Sequence, residues 1–144
     1  MARQIAEAAR LFQQQQTGIT PSQITVVMSG RTLVITLRGA LSVAEKNLAR
    51  TAHGAAQVRE FHRHLFETGA DSLRQEIQRI TGVAVCDAGG EMESATGAIE
   101  QVFLTGTTVQ VFLLASAVPA ASWIEPPPAP SGPQPASGNP PDGP

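Results

Sequence analysis

One cysteine, no apolar run of membrane-spanning length and no surplus of positive charge set the first boundaries on this chain of 144 residues. A lone Cys86 has no internal partner for a disulfide. The longest strongly apolar stretch, residues 109–118, is interrupted by Gln110 and Ser116 and falls well short of the roughly 20 residues a helix needs to cross a bilayer. Ten lysines and arginines against 12 aspartates and glutamates give a net charge of −2, so no positive field gathers phosphate backbones or anionic lipid, which disfavours a nucleic-acid or membrane-surface binder. Proline is nearly missing from the first 118 residues, where Pro21 stands alone, and the other ten of the 11 lie from Pro119 onward. The start of the chain is a polar helical pattern instead of a basic patch followed by an apolar run, which leads us to expect a cytoplasmic protein.

Hydrophobic residues make up 42% of the chain, enough for the core of one domain. The proline distribution divides it into a folded part, residues 1–118, and a Pro/Gly/Ser-rich tail, residues 119–144, whose only charged side chains are Glu125 and Asp142. Such a composition favours extended, polyproline-like conformations without a fixed fold.

Within the folded part, Ile5, Ala8, Ala9 and Phe12 recur at helical spacing and Gly18 supplies a stop. From Ile24 the period becomes two: Ile24, Val26 and Met28, then Leu33, Ile35 and Leu37, flank Ser29-Gly30-Arg31-Thr32, the pattern of a β-hairpin. Ser42-Val43-Ala44-Glu45 has the spacing of a capping box and starts a helix that pauses at His53-Gly54. A longer helical stripe follows through Val58, Phe61, Leu65, Leu73, Ile77 and Ile80, with a kink expected at Thr68-Gly69-Ala70-Asp71, because glycine costs about 1 kcal/mol against alanine inside a helix. Gly82 closes it, residues 83–88 return to strand chemistry, and the echo Gln101-Val102-Phe103-Leu104 and Gln110-Val111-Phe112-Leu113 brackets a glycine turn. The reading is an α+β two-layer sandwich: helices on one face of a mainly antiparallel sheet of four to five strands, in the order α-β-β-α-α-(β)-β-β.

Catalytic signatures do not emerge from the spacing. Cys86 lies in an apolar strand context that suits a small buried hydrophobe, and His62 and His64 are two apart on a helix, so they face apart and do not jointly hold a metal. Gly89-Gly90 leads into Glu91-Met92-Glu93 with no lysine or helix start of a phosphate loop, and Glu91, Glu93 and Asp87 lack the density of a calcium loop. We therefore expect no enzyme, no cofactor and no metal. Two surfaces remain as candidates. Phe61, Leu65 and Phe66 with Arg59 and Arg63 form an interaction face on the long helix, suited to a homodimer. Arg38 and Lys46 flank the free amides at the helix start at Ser42, a candidate small-anion site. A nucleic-acid version would use Arg59, Arg63, Arg74 and Arg79.

The segment Leu37-Arg38-Gly39-Ala40-Leu41-Ser42-Val43-Ala44-Glu45-Lys46-Asn47-Leu48-Ala49, followed by Gly54, Val58 and Arg59 and by Ile80-Thr81-Gly82-Val83-Ala84-Val85, resembles the MpsC-like family. With Thr105-Gly106 and Val109-Gln110-Val111-Phe112-Leu113-Leu114 the likeness covers nearly all of residues 2–114. The resemblance implies a small α+β protein tied to a sodium-translocating, membrane-potential-generating system, with an accessory role beside a membrane transport subunit. Links of similar family names to inorganic-carbon supply make bicarbonate the implied ligand of the anion site. The chain departs from the family pattern between Val85 and Thr105, where an extra strand is expected, and in its tail.

Overall fold

The computed structural model describes residues 1–86, 98–103 and 105–123. Eight elements follow one another: α1 (Ala2–Thr17), β1 (Gln23–Ser29), β2 (Thr32–Arg38), α2 (Val43–Leu48), α3 (Ala52–Thr81), β3 (Ala98–Val102), β4 (Thr108–Leu113) and the short α4 (Ala120–Trp123). The four strands form one antiparallel sheet in the order β1-β2-β4-β3. Alternation decides its faces. Leu33, Ile35, Leu37 and Phe112 turn toward the helices and are fully buried, while Val27, Val34, Val111 and Ile99 stand in one register row across the opposite face.

Glycine shapes the fold at two positions. Gly30 takes φ 61° in the β1–β2 turn, a left-handed conformation that side chains with a Cβ resist. Gly69 does something different from what its position in the sequence suggests. The helix runs unbroken through Thr68-Gly69-Ala70-Asp71 for 30 residues, about 45 Å, and no kink forms. A Cβ at Gly69 would run into the side chains of Gln16 and Phe12, so the missing side chain is where α1 crosses α3, and the close packing offsets the helix-propensity cost.

The buried stripe of α3 is also rotated from the expected one. Val58, His62, Phe66, Ala70, Leu73 and Ile77 face inward, whereas Phe61 is 53% exposed. Phe66 lies in the core, edge-on to Phe12 with ring centroids 6.2 Å apart and tilted against Phe112 at 5.9 Å. It is therefore not a surface anchor. Val58, Leu73 and Ile77 are buried as expected, while His62 and Phe66 stand inward in place of Phe61 and Leu65; the burial of His62 depends on a partner outside the helix.

The strand expected over residues 83–88 is reduced to a bridge, Val85 opposite Leu114, with the Cys86 amide donating to the Leu113 carbonyl at 2.7 Å; residues 87–88 lie outside the described ones. The two strands expected beyond it are present as β3 and β4. Val118 is buried and Trp123 packs on the core, so packing against the core extends past the expected boundary at 118.

Two apolar clusters result. The larger is built around Ile5, Phe12, Leu33, Ile35, Phe66, Leu73, Ile77 and Phe112. The smaller holds Leu41, Ala49, Ala55, Val58 and Val102 beneath α2 and the start of α3.

Candidate functional site

Between these clusters runs a seam of polar side chains. Along α3 it falls at His62, between Val58 of the small cluster and Phe66 of the large one; along β4 it falls at Thr108 and Gln110, below Phe112. His62, Thr108 and Gln110 are each at most 1% exposed, and buried polar groups of this kind are normally hydrogen-bonded.

His62 is satisfied from α2. Ser42 Oγ accepts from the Glu45 amide at 3.1 Å, and Glu45 Oε1 accepts from the Ser42 amide at 2.9 Å, which completes the capping box read from the sequence. The second oxygen, Glu45 Oε2, meets His62 Nε2 at 2.7 Å. Partial burial pushes the Glu45 carboxyl upward, but the bonds from the Ser42 amide and from His62 outweigh it and hold the group below its ordinary value. One carboxylate thus caps α2 and ties it to α3. Removing the hydroxyl in Ser42→Ala is expected to cost about 1 kcal/mol in a urea unfolding titration; an unchanged midpoint would show that the cap is idle.

The same arrangement bears on the anion candidates. Arg38 ends β2 on the surface, and the amides of Ser42 and Glu45 are occupied by the box itself. Lys46 lies along the turn at Gly106. Any anion arriving at Ser42 meets the Glu45 carboxylate already seated there.

On the exposed side of α3 the arginines are largely engaged. Arg63 pairs with Glu60 at 2.5 Å and with Glu67 at 2.9 Å, Arg74 with Asp71 at 2.6 Å, and Arg79 with Glu76 at 2.8 Å. A helix face carrying its own counter-charges offers little to a phosphate backbone. Of the proposed interaction face, Phe61 is exposed, Leu65 is half-buried, Phe66 is interior, and Arg59 and Arg63 line a cleft of about 430 Å³ between α3 and β3.

Glu100 also lines that cleft. It stands directly opposite Gln110, while Thr108 faces Val102 two residues along β4. Glu100 Oε1, both side-chain polar atoms of Gln110 and Thr108 Oγ1 are buried and make no hydrogen bond. Burial pushes the Glu100 carboxyl up to about 8, with the side-chain amide of Gln110, which stands opposite, offsetting part of the rise.

Sequence reasoning passed over both polar groups. The signal for the second lay in the alternation: Ala98, Glu100 and Val102, like Thr108, Gln110 and Phe112, fall on one face by period two. The Glu45–His62 bond, across 17 residues, left no local trace.

Among the described residues no cluster of three histidine, cysteine, aspartate or glutamate side chains is placed to hold a metal, and no helix is long and apolar enough to cross a membrane. The family whose pattern matches is described as the Na+-translocating membrane potential-generating system (MpsC), over residues 1–114. No curated protein and no solved structure matches the chain.

Proposed function

Because this chain belongs to the MpsC family, whose name ties it to a Na+ membrane-potential system, we propose that it is a non-enzymatic, cytoplasmic accessory or regulatory domain working beside a membrane ion or inorganic-carbon transport subunit. The observation that carries the reading is the open face of the sheet. Thr25, Val27, Thr32, Val34, Thr36, Ile99, Gln101, Val109, Val111 and Leu113 point away from the helices, and the charged residue of that face, Arg38, sits at the end of β2. Antiparallel sheets exposed to water usually carry polar, charged residues on the outer face. An uncharged, β-branched surface of this kind suits association.

The occupant we assign is a second copy of the chain. In a two-fold pairing the same patch faces itself, residue i of one copy meeting residue j of the other and j meeting i, so a face without charge brings no like charges together. The contact face is therefore the sheet, and not the Phe61–Leu65–Phe66 surface of α3.

Two measurements test this. Val111→Lys places an ammonium in the middle of the Val27-Val34-Val111-Ile99 row, so that pairing through this face would bury one charge from each copy; the dimer dissociation constant is expected to rise by at least about tenfold in light scattering. A dimer that survives Val111→Lys but is lost in Phe61→Asp would return the contact to α3. For the accessory role, the tagged protein captured from native membranes after crosslinking is expected to retain an integral transport subunit. Recovery of the protein alone would remove that role.

A further inference from the structure

We infer that β1, an edge strand of the sheet, pairs antiparallel with β1 of a second copy of this chain, joining two four-stranded sheets into one continuous sheet. Edge strands usually protect their unpaired backbone with charge, proline, a bulge or shortness. β3, the other edge, has five residues and carries Glu100. β1 has seven, Gln23-Ile24-Thr25-Val26-Val27-Met28-Ser29, with no charge, no proline and a one-to-one register against β2 that leaves no bulge.

The register says which groups are open. The Arg31 carbonyl accepts from the Leu114 amide and the Arg38 carbonyl from the Ser22 amide, so the odd-numbered residues of β2 bond toward β4 and the even-numbered ones toward β1. Those even-numbered residues stand opposite Gln23, Thr25, Val27 and Ser29. Ile24, Val26 and Met28 therefore direct their N–H and C=O groups away from the sheet, where no backbone partner meets them among the described residues. Their side chains are incompletely covered as well. Each is half-buried, while the residues opposite, Leu37, Ile35 and Leu33, are fully buried. A strand laid along this edge supplies both the missing bonds and the missing cover.

The chemistry of the edge favours its own copy. Centred on Val26, an antiparallel pairing sets Val26 against its own copy, Ile24 against the copy's Met28, Thr25 against its Val27 and Gln23 against its Ser29, so no pair opposes two charges. The two-fold axis then stands normal to the sheet, and the helices of both copies stay on one face. On the other face Thr25 and Val27 meet across the junction, which continues the uncharged outer surface from one copy to the next. Beside the strand, Arg3, Glu7 and Arg10 of α1 line a groove of about 280 Å³, and Glu7 is held by Arg10. A flank of mixed sign does not repel its own copy as a block.

This contact uses the backbone of one strand and stands independently of the sheet-face pairing. Amide hydrogen exchange of the purified full chain, read by NMR, tests it. The amides of Ile24, Val26 and Met28 are expected to exchange at least about tenfold more slowly than an open strand allows, a protection that no bond within one copy supplies. Val26→Pro removes an outward N–H and leaves the ladder to β2 intact, the one setting in which a strand tolerates proline. It should abolish the protection at Ile24 and Met28 and, in the Val111→Lys background, raise the dissociation constant by at least about tenfold in sedimentation. Val26→Ala, which trims the side chain and keeps the donor, should retain the protection. Should Val26→Pro fold poorly, the exchange of the unaltered chain still decides. Val111→Lys alone, aimed at the sheet face, should leave the three amides protected, so the two contacts stand or fail separately. Free exchange at all three amides, or protection that survives Val26→Pro, would overturn the pairing. Protection that appears only when a membrane extract is added would give the edge to a strand of another protein and overturn the second copy as its occupant.

Discussion

Phe66→Ala is expected to lower the unfolding free energy by about 3–5 kcal/mol, while Phe61→Ala, five residues earlier on the same helix, should change it by less than about 0.5 kcal/mol. Phe66 is 3% exposed and joins α1 to the sheet through α3, with Phe12 on one side and Phe112 on the other. Truncation forfeits the transfer of the ring and leaves a cavity. It also removes two aromatic contacts, each worth about 0.5–1.5 kcal/mol beyond area burial. Phe61 packs edge-on to His62 at 5.9 Å but leaves half its surface in water. Paired urea titrations decide the matter: a Phe61→Ala loss as large as that of Phe66→Ala would place the wrong side of α3 on the core.

This pair also shows where the sequence is readable. The hairpin and the capping box follow from local rules, glycine at positive φ in a tight turn and a hydroxyl three residues before a glutamate, and both appear as read, with β1 pairing β2 in unbroken register. The element order follows equally well. The rotation of α3 was not legible, because two alternative stripes, through Phe61 and Leu65 or through His62 and Phe66, have the same helical period. Apolar character favoured the first. The second holds because Glu45 reaches across from α2 to His62, a contact that local spacing does not encode. Gly69 is a similar case: its propensity argues for a break, and only the approach of Gln16 and Phe12 explains an unbroken helix.

The polar seam extends this point to the candidate site. The echo of Gln101-Val102-Phe103 in Gln110-Val111-Phe112 suggests equivalent strands, yet the pairing gives them opposite faces: Gln101 is exposed while Gln110 is fully buried, and Phe103 is exposed while Phe112 is interior. Sequence similarity within a hairpin says nothing about face unless the register is known, since a one-residue step exchanges inside for outside.

Register is what puts Glu100 next to Gln110, and the consequence is measurable through pH. A carboxyl whose folded value is raised from 4.5 to about 8 binds its proton more tightly in the folded state than in the unfolded one. The sign follows: the contribution to stability is complete below about pH 4.5, falls as pH rises toward 8, and is constant above it. At about 1.4 kcal/mol per unit, the span from 4.5 to about 8 corresponds to a loss on the order of 5 kcal/mol across that window. Glu100→Gln has no charge to lose. The variant is expected to match the parent near pH 4.5 and to exceed it by several kcal/mol at pH 8.5, read as the difference between urea midpoints. Taking the difference removes the titrations common to both proteins, including Glu45, whose lowered value acts in the opposite direction and at more acid pH. Arg59, Glu60 and Arg63 face the cleft in parent and variant alike, so what they contribute is common to both curves. Parallel curves from pH 4.5 to 9 would mean that Glu100 is solvated and ionised throughout.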